Sequence, residues 1–207
     1  PNNPTGTYYS KNEFEKLLDA LPEDVILVVD EAYVDYVDAD DYPNTVNYRS
    51  KHKNTIITRT FSKAFGISGI RLGYGIATAE LVDYMNRVRE PFNTNSIAQA
   101  AGIAALQDSE YLKRSVETNK AGKDYYYKEF QRLDLEYLPS QGNFILVKVG
   151  DDPSTGMDCF NYLLKNGVIV RPMGGYGFPN WIRISIGLED QNRTCIHHLE
   201  NFIMQRS

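Results

Sequence analysis

A carboxylate, an amine and a guanidinium stand at or just beyond the ends of short apolar runs in this sequence, where side chains can meet a ligand. Asp30 follows directly on Val25-Ile-Leu-Val-Val29. Thr60-Phe-Ser-Lys63 follows Thr55-Ile-Ile-Thr58, and Arg71 comes eight residues after Lys63, beyond the turn Gly66-Ile-Ser-Gly69. In an open α/β sheet, ligands gather beyond the carboxyl ends of the strands, so both runs end where chemistry is done. An acid at the end of a buried strand is costly without a cationic partner. On its own, Asp30 also reads as a helix cap or as half of a surface ion pair.

Lys63 lies in Thr-Phe-Ser-Lys-Ala-Phe-Gly, whose aromatic and small residues can desolvate an amine and lower its pKa. So placed it can act as a Schiff-base nucleophile, although a lysine taken alone is also an ordinary solvated side chain. Thr60 and Ser62 add hydroxyls and Arg71 a planar fork, a set suited to a phosphate dianion. A carboxylate, an amine and a phosphate cup at neighbouring strand ends are what pyridoxal phosphate requires. The amine attaches the cofactor, the carboxylate keeps its pyridine nitrogen protonated, and the cup holds its phosphate.

These groups need a scaffold. Ser10-Lys-Asn-Glu13 has the capping-box spacing and Phe14, Leu17, Leu18 and Leu21 follow at helical intervals, which predicts a helix over 11–21. The run 25–29 reads as a strand buried on both faces of a parallel sheet, with further strands over 55–58 and 73–77. Between them, 33–54 is polar and tyrosine-rich and reads as a surface connection with one short helix. Thr78 can cap a helix carrying Leu81, Val82, Met85 and Val88, followed by an alanine-rich helix over 96–106 and a long one over 109–133. Strands over 143–149, 167–171 and 181–186 alternate with helices over 157–165 and 190–205. The fold class expected is α/β: a large-domain segment with a mostly parallel sheet over 1–110, then a smaller α+β domain over 111–207.

Composition narrows the partners. In 207 residues, 22 Lys+Arg stand against 27 Asp+Glu, a net charge of −5 that argues against nucleic acid or an anionic membrane surface. Cys159 and Cys195 are not in a CxxC spacing and fit a reducing, cytoplasmic compartment. The run 25–29 is far short of the roughly 20 apolar residues of a membrane span. His52, His197 and His198 have no Cys or carboxylate at zinc-ligand spacing, so no metal is assigned, and His52 in Lys-His-Lys reads as solvated.

Pro1-Asn-Asn-Pro-Thr-Gly6, Val29-Asp-Glu-Ala-Tyr33 and Thr60-Phe-Ser-Lys-Ala-Phe-Gly-Ile-Ser-Gly-Ile-Arg-Leu-Gly73, in this order, resemble the fold-type I aminotransferases. Val168-Ile-Val-Arg-Pro-Met-Gly-Gly-Tyr-Gly177 and Trp181-Ile-Arg-Ile-Ser-Ile-Gly187 bring the resemblance nearest to the histidinol-phosphate aminotransferase subfamily. The resemblance implies that Asn3 and Tyr33 donate to the cofactor's phenolic oxygen and that Asp30 pairs with its pyridine nitrogen. Lys63 would carry the cofactor and move the substrate proton, and Thr60, Ser62 and Arg71 would hold the phosphate. It implies small amino-acid and oxo-acid substrates, histidinol phosphate and 2-oxoglutarate, and a homodimer.

Two more arginines carry both readings. Alternation along Trp181-Ile-Arg-Ile-Ser-Ile186 puts the isoleucines on one face and Arg183 on the other, which is either a solvated sheet face or, by the resemblance, the clamp for a substrate carboxylate. Arg171 before Pro172 is an ordinary strand exit or, by the resemblance, the contact for a substrate phosphate. Aromatic aminotransferases and threonine-phosphate decarboxylases keep the same cofactor residues, and a transcription regulator with an aminotransferase-like sensor domain is the alternative outside enzymes. Pro1 opens on turn chemistry, so the expectation is a chain that continues upstream and that, isolated, binds cofactor weakly and is inactive.

Overall fold

The computed structural model describes residues 1–206. They form two compact units, Pro1 with Tyr8–Ser115, and Asn2–Thr7 with the residues from Val116 on.

In the first unit, α1 (Lys11–Ala20) starts at Ser10, whose hydroxyl accepts from the Glu13 N–H while the Glu13 carboxylate accepts from the Ser10 N–H. β1 (Leu27–Asp30) pairs in parallel with β2 (Thr55–Thr60), Asp30 standing opposite Thr58. β3 (Gly73–Ile76) runs antiparallel to β2. The return from β2 to β3 contains only a 3-10 turn, too little for the helical crossover a parallel neighbour needs, so this sheet is mixed rather than all parallel. Thr78 caps α2 (Ala79–Val88), Asn95 caps α3 (Ser96–Gln107), and α4 (Ser109–Arg132) crosses from the first unit into the second.

Three expectations are corrected here. The run 25–29 is strand only from Leu27, and it alternates instead of being buried on both faces, with Val28 58% exposed. The reason is its position: among the described residues β1 stands at the edge of the sheet, paired with β2 alone. The connection 33–54 is not merely surface. Two 3-10 helices, Val34–Tyr36 and Thr45–Ser50, lie in it, and Tyr33, Tyr36, Thr45 and His52 are buried. His52 is not solvated, since its Nε2 lies 2.9 Å from the Val25 carbonyl oxygen.

The second unit is built on an antiparallel sheet of β4 (Tyr137–Leu138), β5 (Phe144–Lys148), β6 (Arg171–Met173) and β7 (Phe178–Ser185), in the order β4-β5-β7-β6. Ile145, Val147, Ile182 and Ile184 form one face and pack into a core with Tyr126 and Phe130 of α4, Leu163 of α5 (Thr155–Lys165) and Leu199 of α6 (Glu189–Met204). The strand expected over 167–171 begins only at Arg171, because the residues before it have no ladder partner. Among the described residues no helix is long and apolar enough to cross a membrane.

Candidate active site

The segment between β2 and β3 is a tight loop closed on itself. The Phe61 N–H donates to the Leu72 carbonyl at 3.1 Å and the Ile67 N–H to the Phe61 carbonyl at 3.2 Å, so the loop leaves and re-enters the sheet at one point. Phe61 and Ala64 are buried, and the Phe61 ring packs 5.0 Å from Phe65 and 5.8 Å from Tyr74. These anchors leave Ser62 and Lys63 half-exposed between them. Gly66 turns the chain at φ +72°, where a side chain would also run into the Tyr111 hydroxyl.

Asp30, Thr60, Ser62, Lys63 and Arg71 line one pocket at the exits of β1 and β2. Thr58 and Ser68 line it as well and were not singled out in the sequence; alternation along β2 from Thr60 would have found Thr58. Asp30 accepts a hydrogen bond from the Ala32 N–H at 2.9 Å through Oδ1, which fixes the carboxylate at the strand end. The Thr60 hydroxyl accepts from the Ser62 N–H at 3.1 Å. Arg71 has a left-handed backbone at φ 59° and donates from Nη1 to the Ser68 carbonyl at 2.8 Å, an uncommon conformation for a residue with a side chain. Tyr33 is buried, and the Lys63 Nζ lies 5.1 Å from its ring centroid, within cation–π range.

Behind these strand ends is a buried ionic cluster that sequence reading missed. Glu31, 1% exposed, takes the Nε and Nη2 of Arg59 on Oε2, both at 2.8 Å, and the Thr45 hydroxyl on Oε1 at 2.5 Å. Burial pushes the nearby Asp35 carboxyl upward, partly opposed by Arg59, and pushes the Tyr42 phenol up to about 12. Arg59 also lines the pocket, so the cluster reaches from the buried Glu31 to the pocket wall.

Asn3, Arg171 and Arg183 belong to the second unit. Arg183 donates from Nη1 to the Asn3 side-chain oxygen, and its guanidinium lies 5.0 Å from the Phe144 ring centroid. Arg171 and Arg183 are register partners across β6 and β7, so their side chains share the sheet face opposite the isoleucines. The turn bearing Asn3 is held from below. Asn119, Lys123 and Tyr127, four residues apart on α4, all bind the 140–142 loop: Lys123 and Tyr127 donate to the Ser140 carbonyl at 3.3 and 3.4 Å and Asn119 to that of Gly142 at 3.1 Å. The Gln141 N–H in turn donates to the Gly6 carbonyl at 2.9 Å. Gly6, at φ +75°, lies so close to Ser140 that a side chain there would collide with it.

Known proteins match the chain along nearly its whole length. A family profile described as aminotransferase class I and II matches residues 1–199. Histidinol-phosphate aminotransferase 1 of Cupriavidus pinatubonensis is 49% identical over 97% of this chain and 53% of its own length, and histidinol-phosphate aminotransferase 2 of Ralstonia nicotianae is 48% identical over 99% and 55%. The crystal structure of histidinol-phosphate aminotransferase from Sinorhizobium meliloti in complex with pyridoxal-5'-phosphate superposes with a TM-score of 0.91 at 30% identity, over all of this chain and 56% of that one. The chain thus spans about half the length of the curated relatives it matches. On this match the chain belongs to the aminotransferase class I and II family.

Proposed function

We propose that this chain carries the cofactor lysine and the substrate arginines of a pyridoxal-phosphate-dependent aminotransferase. The reaction would be L-histidinol phosphate plus 2-oxoglutarate giving imidazole acetol phosphate plus L-glutamate. The observation that carries the cofactor reading is the pocket where one carboxylate, one lysine, several hydroxyls and two arginines, Arg59 and Arg71, converge. That donor set fits a molecule with a basic ring nitrogen, an aldehyde and a phosphate dianion. The names of the relatives at 48–49% identity support the substrate.

When bound, pyridoxal phosphate supplies an electrophilic carbonyl and a ring that withdraws electrons from the reacting carbon. Lys63 would hold the cofactor through Nζ and would carry the proton taken from the substrate Cα. Asp30, its Oδ1 fixed by the Ala32 N–H, holds the proton on the ring nitrogen. By the resemblance, Tyr33 and the Asn3 amide NH2 would donate to the phenolic oxygen; the Asn3 carbonyl oxygen is engaged by Arg183. Thr60, Ser62 and Arg71 bind the phosphate. Arg183 clamps the carboxylate of the oxo acid, and Arg171 meets the phosphate of the amino donor. The two arginines suit one another's tasks, because histidinol phosphate carries its phosphate ester where an amino acid carries its carboxylate. A homodimer, implied by the resemblance, in the reducing cytoplasmic compartment that the two cysteines fit completes this reading.

Borohydride reduction of the cofactor-loaded protein, followed by peptide mapping, tests it. A pyridoxyl group on Lys63 is expected; one on Lys51, Lys53 or any other lysine overturns the site. Turnover of histidinol phosphate should exceed that of an unphosphorylated aromatic amino acid, and the reverse preference overturns the substrate.

A further inference from the structure

None of Glu31, Arg59 and Thr45 has an assigned task, yet the cluster built on the buried Glu31 lies one residue from Asp30 and one from Thr60, and its Arg59 shares their pocket. A buried ion pair is a poor device for stability alone, since apolar side chains of similar volume often do as well. Its geometry suggests another use. The Glu31 N–H donates to the Thr58 carbonyl at 2.9 Å, so backbone and side chain of this residue both tie the end of β1 to β2. Thr45, itself buried, closes the second carboxylate oxygen from a 3-10 helix elsewhere in the unit. With one oxygen forked by Arg59 and the other capped by Thr45, Glu31 cannot rotate, and the preceding residue is held with it.

We propose that Glu31 and Arg59 are positioning residues: the pair sets the strand-end geometry that aims the Asp30 carboxylate and starts the Thr60–Lys63 loop in register. The claim rests on the reading of Asp30 as the partner of the cofactor ring nitrogen. An apolar pair could fill the same volume but has no fork to fix the angle of the strand ends.

The test compares Glu31→Gln with the double variant Glu31→Leu/Arg59→Met in the whole protein. Glu31→Gln strands a cation and should lower the unfolding midpoint by roughly 5–10 °C, whereas the double variant should recover most of that loss. Amide exchange at Ala32, whose N–H bonds Asp30, should nonetheless be faster in both variants than in the parent, read without cofactor. In the loaded protein the pH midpoint of the visible absorbance should move in both, and kcat should fall roughly ten- to a hundredfold with KM little changed. A double variant that regains parental stability together with parental Ala32 exchange makes the pair merely structural and overturns the proposal. If the parent itself forms no borohydride-reducible adduct at Lys63, the functional reading fails, and the Ala32 exchange alone decides whether the pair positions Asp30.

Discussion

The two units spend their apolar residues differently. In the second, both faces of β5 are covered and Phe130, Ile145, Leu163, Ile182 and Leu199 are sealed in one continuous core. In the first, Val28 on the sheet, Val88 at the end of α2 and Phe92 beyond it are 58%, 83% and 97% exposed, and buried residues lie on α1 (Phe14 and Leu18), in the middle of β2 (Ile57) and around the strand exits. Phe61, Ala64 and Tyr33 are buried next to Ser62, Lys63 and Ala32. Part of the packing in the first unit therefore lies directly beside the proposed chemistry, whereas the core of the second lies in the framework. The side chains that react and those that stabilise should separate accordingly under mutation.

The largest effect expected, read in the whole protein, is from Lys63→Ala, which should lower turnover by about a thousandfold or more while leaving the unfolding midpoint nearly unchanged. A comparable loss of stability would break the contrast. Leu199→Ala should do the reverse, costing about 2–5 kcal/mol by denaturant titration because the cavity opens in a closed core. Turnover per folded molecule should stay close to parental. Arg171→Ala sits between the two: losing a charge-assisted contact of about 1.5–3 kcal/mol should weaken histidinol phosphate roughly ten- to a hundredfold. Equal losses for histidinol phosphate and histidinol, measured by direct binding, would make this arginine structural. Val28→Thr should change stability by less than about 0.5 kcal/mol, as for an exposed site. A large loss would show that this face is covered in the protein.

What could be read in the sequence is what depends on neighbours along the chain. Ser10 and Glu13 announce their capping box, and Asp30 and Lys63 follow runs that end abruptly, so their placement at strand exits needed no tertiary information. What could not be read depends on partners far away. The β-branched stretch Val168-Ile-Val170 has every local mark of a strand, but the ladder to β7 begins only at Arg171. His52 lies between two lysines and looks solvated, yet the Val25 carbonyl, far back in the chain, receives it. Glu31 and Arg59 are likewise invisible one at a time. Each is an ordinary charge until the parallel register of β1 and β2 sets them side by side.

Arg171 and Arg183, opposite one another across β6 and β7, have a consequence at the bench. Two guanidinium groups on one sheet face repel each other in the resting protein, and any doubly charged oxyanion relieves that repulsion whether or not it is a substrate. Inorganic phosphate or sulfate should raise the unfolding midpoint and, in the same buffer, compete with histidinol phosphate. Affinities measured in phosphate buffer would then report an exchange of one anion for another, and only a chloride or zwitterionic buffer of matched ionic strength would report binding itself.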